Sequence, residues 1–132
     1  MSQENVEIVR RAHAAISRGD KEAFVLEMHE EVEGASRVMA AEGVTYRGHD
    51  GMRRFVEEMR SVFPEFRSEV VRAVEGEDAV IAELSFGGTE GRSGLATQGR
   101  AWQAVTLRDG KILRFRAYET EAEALDAVGL SE

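Results

Sequence analysis

The chain has 132 residues, with 17 Lys and Arg against 25 Asp and Glu, a formal charge of −8 with neutral histidines. That length fits one domain with one core, and 42% hydrophobic with 32% charged residues places it among globular chains. Zero cysteines exclude disulfides, thiolate metal sites and a cysteine nucleophile, and the acidic balance argues against nucleic acid and against an anionic membrane as partners. The opening MSQENVEIVRR lacks the apolar run of a signal peptide, and no stretch approaches the ~18 apolar residues of a membrane span. A cytoplasmic location is the expectation.

The first element reads as a helix. Ser2 can cap it, Glu4 suits its first turn, and Ile8, Val9, Ala12, Ala15 and Ile16 recur at helical spacing. Gly19 is a stop, and Asp20 then caps a short helix carrying Ala23, Phe24, Val25 and Leu26. A strand is expected around 32–38, although Gly34 is a poor strand residue. Residues 39–43 read as a connection and 44–46 as a short strand. Gly48 and Gly51 bracket a turn. The helix that follows has Met52, Phe55, Val56, Met59, Val62 and Phe63 on its apolar stripe, and Pro64 ends it. Strands are expected at 66–74 and 79–86, then a glycine-rich connection at 87–94, then strands at 95–107 and 112–119 around the bend Arg108-Asp109-Gly110-Lys111. Thr120 to Glu123 forms a capping box for a last helix with Ala122, Leu125 and Val128, stopped by Gly129. Helices first and antiparallel strands afterwards imply one α+β domain over 1–132.

Three stretches carry a family likeness. They are Arg18-Gly19-Asp20; Tyr46-Arg47-Gly48-His49-Asp50-Gly51 opening a helix with Arg53, Arg54 and Phe55; and Thr106 to Ile112 running into Arg114-Phe115-Arg116-Ala117-Tyr118. In that order and spacing they resemble the nuclear transport factor 2-like superfamily, in its SnoaL-like, polyketide cyclase-like branch. The resemblance covers essentially the whole chain. It implies a cone-shaped, curved antiparallel sheet wrapped around N-terminal helices, the nuclear transport factor 2-like or cystatin-like fold, with a pocket between them. It also implies a homodimer through the outer sheet face and no cofactor. Isomerases, cyclases, dehydratases, epoxide hydrolases and non-catalytic proteins share this cone, so the fold does not settle function.

The last hairpin selects the pocket side chains. With a type I turn and a glycine bulge at the bend, Leu107 sits opposite Lys111 and Val105 opposite Leu113. Alternation then puts Gln103, Val105, Leu113, Phe115, Ala117 and Glu119 on one face. Trp102, Thr106, Ile112, Arg114, Arg116 and Tyr118 share the other. A two-residue loop would slip the partners by one and mix the sets. The bulged form is expected, because the apolar row suits an interior and the Arg114/Arg116 row suits solvent or a dimer interface. The expected pocket lining is Gln103, Val105, Leu113, Phe115 and Ala117 with Phe55 and Met59. The expected dimer surface is Trp102, Ile112, Arg114, Arg116 and Tyr118.

Such a pocket suits a small hydrophobic molecule held by one or two oriented contacts. His13 at the edge of the first helix's stripe, Glu119 at the sheet's end and Tyr46 are the candidate catalytic groups. Each also has a plainer reading: a hydrogen-bonded half-buried histidine, a solvated carboxylate beside a helix cap, and a packing aromatic. His29 reads as a cap on the second helix and His49 as a turn residue. These three histidines lack metal-ligand spacing, 87–94 lacks the Gly-Lys-Ser/Thr of a phosphate loop, and Ser17, Ser61 and Ser93 lack a nucleophile elbow.

The resemblance also allows the family's acids to be sought residue by residue. The steroid-isomerase pattern falls near Ala12, Gln103 and Ser36, and the SnoaL-type aspartate falls at Ala117, none of which can titrate in those roles. The aspartate–arginine–aspartate trio of epoxide hydrolase relatives has no counterpart among the inward positions, and Arg37, an inward candidate, has no expected carboxylate partner. The leading expectation is therefore a protein that binds a small hydrophobic molecule in an apolar pocket. The alternatives are a cofactor-independent isomerase, lyase or cyclase acting on a hydrophobic carbonyl compound, and a non-catalytic dimeric interaction module.

Overall fold

Helix α1 (Ser2–Arg18) buries Val6, Ile8, Val9, Ala12, Ala15 and Ile16 along one stripe, and the left-handed Gly19 ends it. The Asp20 side chain accepts from the Ala23 N–H and starts α2 (Lys21–Leu26). The structure, a computed structural model, describes residues 2–35, 45–89 and 96–129. The elements that follow are β1 (Met28–Gly34), β2 (Tyr46–Arg47), α3 (Gly48–Val62), β3 (Arg67–Glu75), β4 (Ala79–Thr89), β5 (Ala96–Arg108), β6 (Lys111–Tyr118) and α4 (Glu121–Ala127). Among the described residues no helix is long and apolar enough to cross a membrane.

The six strands form one curved, unclosed sheet in the order β2-β1-β6-β5-β4-β3. Every pair is antiparallel except β1 with β6, which run parallel. The helix-facing side carries the main core, in which Phe24, Phe55, Phe115 and Tyr46 pack ring against ring at centroid distances of 5.2 to 6.4 Å. On the other side α4 sets Ala124 and Leu125 on Ile81 and Ala104, flanked by Trp102 and Tyr118. The expected capping box of Thr120 and Glu123 is present.

Several expectations change. The first strand begins at Met28, so His29 lies within β1 and its Nδ1 accepts from the Glu31 N–H instead of capping a helix. Residues 36–44, with Ser36 and Arg37, lie outside the described residues. The turn expected at Gly48–Gly51 is the first turn of α3, where His49 Nε2–H donates to the Met28 carbonyl at 3.0 Å. Gly34 sits in the strand because the Phe115 ring lies on it; a Cβ there would fall 2.2 Å from the ring. The glycine-rich stretch also remains in strand as far as Thr89, since Gly87 and Gly88 pair with Gln98 and Thr97. Opposite Phe86, Gly99 leaves room for the aromatic ring, which would meet a Cβ at 2.7 Å.

The largest correction concerns the last hairpin. Asp109 and Gly110 both have positive φ, 55° and 74°, and they form a two-residue bend between the paired Arg108 and Lys111. Positive φ at both central positions marks a primed turn, whose twist matches the strands. The bulge lies further along. Leu107 pairs with Ile112 and Thr106 with Arg114, which leaves Leu113 as the extra residue. Ile112 (3% exposed) therefore faces the core together with Phe115 (6%), and Leu113 is only half-buried and outside both core clusters. Ile112 leaves the expected outer surface and Leu113 leaves the expected pocket. Val105 pairs with Phe115 and Gln103 with Ala117, each two residues further along β6 than the expected partner, one from the tighter bend and one from the bulge.

Truncating Ile112 to Ala should cost about 2–5 kcal/mol, whereas Leu113→Ala should cost under about 1 kcal/mol. Urea unfolding of the two variants checks this, and the reverse order would place the bulge elsewhere.

Candidate functional site

Between α1, α3 and the helix-facing side of the sheet lies a cavity of about 70 Å³. Val9, Ala12, His13 and Ile16 come from α1 at the spacing that stacks side chains on one helix face. Phe55 and Met59 come from α3, and Val105, Ile112, Phe115 and Ala117 from the last hairpin. Among the described residues, polar side chains enter the wall at three positions: His13, Ser68 and Gln103.

Those three form one hydrogen-bonded chain. His13 Nδ1 lies 2.7 Å from Ser68 Oγ, and His13 Nε2 lies 2.9 Å from Gln103 Oε1. An amide oxygen only accepts, so Nε2 carries the proton, and Nδ1 accepts from the Ser68 hydroxyl. Among the described residues the Gln103 amide nitrogen donates to no group. β3, the edge strand, is clamped to α1. The Ser68 N–H donates to Ser17 Oγ at 2.9 Å, the Ser17 hydroxyl donates back to the Ser68 carbonyl at 3.1 Å, and Arg10 donates to the Val70 carbonyl. Side chains of α1 thus satisfy backbone groups that an edge strand leaves open. Outside the cavity runs a broad groove of about 1040 Å³, and Ser68 and Phe86 line both spaces.

Burial lowers the His13 pKa below its ordinary value, and the hydrogen bond to Gln103 offsets part of that shift. The ring is therefore neutral at neutral pH and able to take a proton. Among the described residues no group of three or more His, Asp or Glu could hold a metal.

Of the residues singled out in the sequence, His13, Gln103, Val105, Phe115, Ala117, Phe55 and Met59 line the cavity, and Leu113 does not. Tyr46 is outside the lining as well. Its ring packs on Phe55, Arg54 lies 5.1 Å from its centroid, and its hydroxyl donates to Glu58 on α3. Burial and that carboxylate push its pKa up to about 12, so it is a protonated tether and not an acid or base for the cavity. Glu119 is exposed beyond β6, where the chain turns towards α4 on the far side of the sheet, and its N–H donates to the Glu123 carboxylate. The three candidate catalytic groups therefore do not converge.

Residues 9–115 match the profile of the SnoaL-like domain. The chain belongs to the SnoaL-like domain family. Solved structures agree on the fold. An NTF2-like protein from Burkholderia xenovorans is 22% identical over 96% of both chains, with a TM-score of 0.74. A putative SnoaL-like polyketide cyclase from Jannaschia has a TM-score of 0.77 at 16% identity, over 99% of this chain and 95% of its own. A protein with a ketosteroid isomerase-like fold from Catenulispora acidiphila, solved with trimethylamine, has a TM-score of 0.77 at 17% identity, over 94% and 93%. No curated protein matches the chain.

Among the described residues, this SnoaL-like domain holds one polar cavity residue that the sequence reading passed over, Ser68. Its signal was alternation. Phe66 and Val70 are buried core residues, and Ser68 stands between them as a polar residue in an inward row.

Because the folded pKa of His13 is depressed, its stabilising effect is complete above about pH 6.5 and is lost as pH falls towards the folded value. His13→Asn should therefore flatten the fall of unfolding free energy below about pH 6.5. An unchanged profile would place the ring in water.

Proposed function

We propose that this domain binds a small, largely apolar molecule with one hydrogen-bond-accepting oxygen, such as a ketone. The observation that carries this reading is the unequal wall: among the described residues it is apolar except for the chain Ser68–His13–Gln103, which ends in an amide donor with no partner among them. His13 holds the Gln103 oxygen and so turns the amide nitrogen to other partners. A bound carbonyl oxygen satisfies that donor while its hydrocarbon body fills the space against Phe55, Phe115 and Ile112. The cavity is about half the size of a ~150 Å³ engineered cavity that holds benzene, so the ligand body is small.

Acetone and 2-methylpropene, alike in shape but differing in the oxygen, test this reading. Gln103→Met should weaken acetone binding about 2–10-fold, the worth of one net hydrogen bond, and leave the hydrocarbon nearly unchanged. Titration followed by NMR reads both. Equal effects on the two ligands, or no binding of either to the unaltered protein, would contradict the proposal.

One observation favours a second reading, a cofactor-free isomerase or lyase acting on a carbonyl compound. Among the described residues His13 is the single titratable side chain in the cavity wall, and it is neutral there. It supplies one base that can take a proton beside a carbonyl and return it. Exchange of the acetone α-hydrogens in D₂O should be faster with the protein than without it, and His13→Ala should remove the excess. A rate equal to that of buffer would leave the domain a binder alone.

A further inference from the structure

The cavity and the open groove share two lining side chains, Ser68 and Phe86. From Ser68 a hydroxyl, a base and an amide stand in sequence: Ser68 Oγ at 2.7 Å from His13 Nδ1, and His13 Nε2 at 2.9 Å from Gln103 Oε1. A nucleophile within hydrogen-bond reach of a base, with the base held by a third group, is the arrangement that activates an oxygen nucleophile. We propose that Ser68 is a nucleophile towards activated esters, with a short apolar acyl group in the cavity and the leaving alcohol or phenol in the groove. The acyl subsite rests on the cavity reading given above; the nucleophile itself rests on the Ser68–His13–Gln103 geometry.

The local structure holds Ser68 in place for this role. Its N–H and C=O are both bonded to the Ser17 side chain, so the backbone carrying Oγ is fixed to α1. The neutral His13 ring has an acceptor at Nδ1 because Gln103 keeps the proton at Nε2. In the reaction Ser68 Oγ forms a bond to the acyl carbon, and its proton passes to His13 Nδ1. The bond from the acyl carbon to the leaving oxygen breaks, and Nδ1–H protonates that oxygen. Water then attacks the Ser68 ester with His13 again as base, and releases the acid. These residues supply one side-chain donor for the carbonyl oxygen, the Gln103 amide nitrogen. Each missing oxyanion donor costs about 10²–10³ in rate, so the reaction is confined to esters with good leaving groups.

The test uses the full chain with p-nitrophenyl acetate at pH 8, read by p-nitrophenolate release, intact mass and peptide mapping. The expected result is one acetyl group on the peptide containing Ser68. Ser68→Ala should remove that adduct, Ser68→Cys should restore it as a thioester, and His13→Ala should slow acylation on the order of 10²-fold. Acetylation confined to the N-terminus, Lys21 or Lys111, at the same rate in wild type and Ser68→Ala, would overturn the proposal. Acetone binding to the same wild-type preparation separates the two readings. Ketone bound without Ser68 acylation removes only the nucleophile; no ketone bound removes the cavity reading.

Discussion

One residue out of phase, Leu113, decides what this sheet shows to its helices. Strict alternation along β6 would place Ile112 and Phe115 on opposite faces. The bulge lets both point towards α1 and α3 while Arg114 and Arg116 remain exposed. The same shift aligns Ala117 with Gln103 and Phe115 with Val105, so the inward rows of the last two strands form one wall. Phe115 then meets Phe24 and Phe55, and its ring lies on the bare backbone of Gly34. A small residue in β1 and an extra residue in β6 are two halves of one packing solution.

Against that apolar wall the polar chain of Ser68, His13 and Gln103 stands out. Polar groups away from water cost free energy unless they are paired. Both imidazole nitrogens are paired, and among the described residues no buried side-chain nitrogen or oxygen lacks a partner. The chain also links β3 through α1 to β5, elements far apart in sequence. A core made only for stability would fill these positions with hydrocarbon. The expense of a histidine held neutral by burial is consistent with a group kept for contact with a ligand.

Much of the fold was legible because its signals are local. The Asp20 cap, the stop at Gly19, the capping box at Thr120 and Glu123 and the apolar stripes of α1 and α3 all depend on neighbours a few residues away. The order of elements and the three quoted stretches led to the family that the profile match shows. The site was legible in part. Gln103, Phe115 and Ala117 reach the cavity, but the bend that was expected to bring them there is of another kind. Asp109-Gly110 suits a two-residue primed turn as well as a longer bulged one, and no local preference marks the skip at Leu113. That skip is set by the long-range pairing of β5 with β6. Tyr46 and Glu119 were misplaced for the same reason, since their surroundings come from α3 and α4. The mixed sheet, with β1 parallel to β6, is likewise a tertiary fact.

The most direct test is a crystal structure of the chain soaked with acetone. The account predicts the methyl groups between Phe55, Phe115 and Ile112, with the ketone oxygen about 3 Å from the Gln103 amide nitrogen and Leu113 outside the wall. A ketone found only in the outer groove, or a wall formed by Leu113 in place of Ile112, would contradict it.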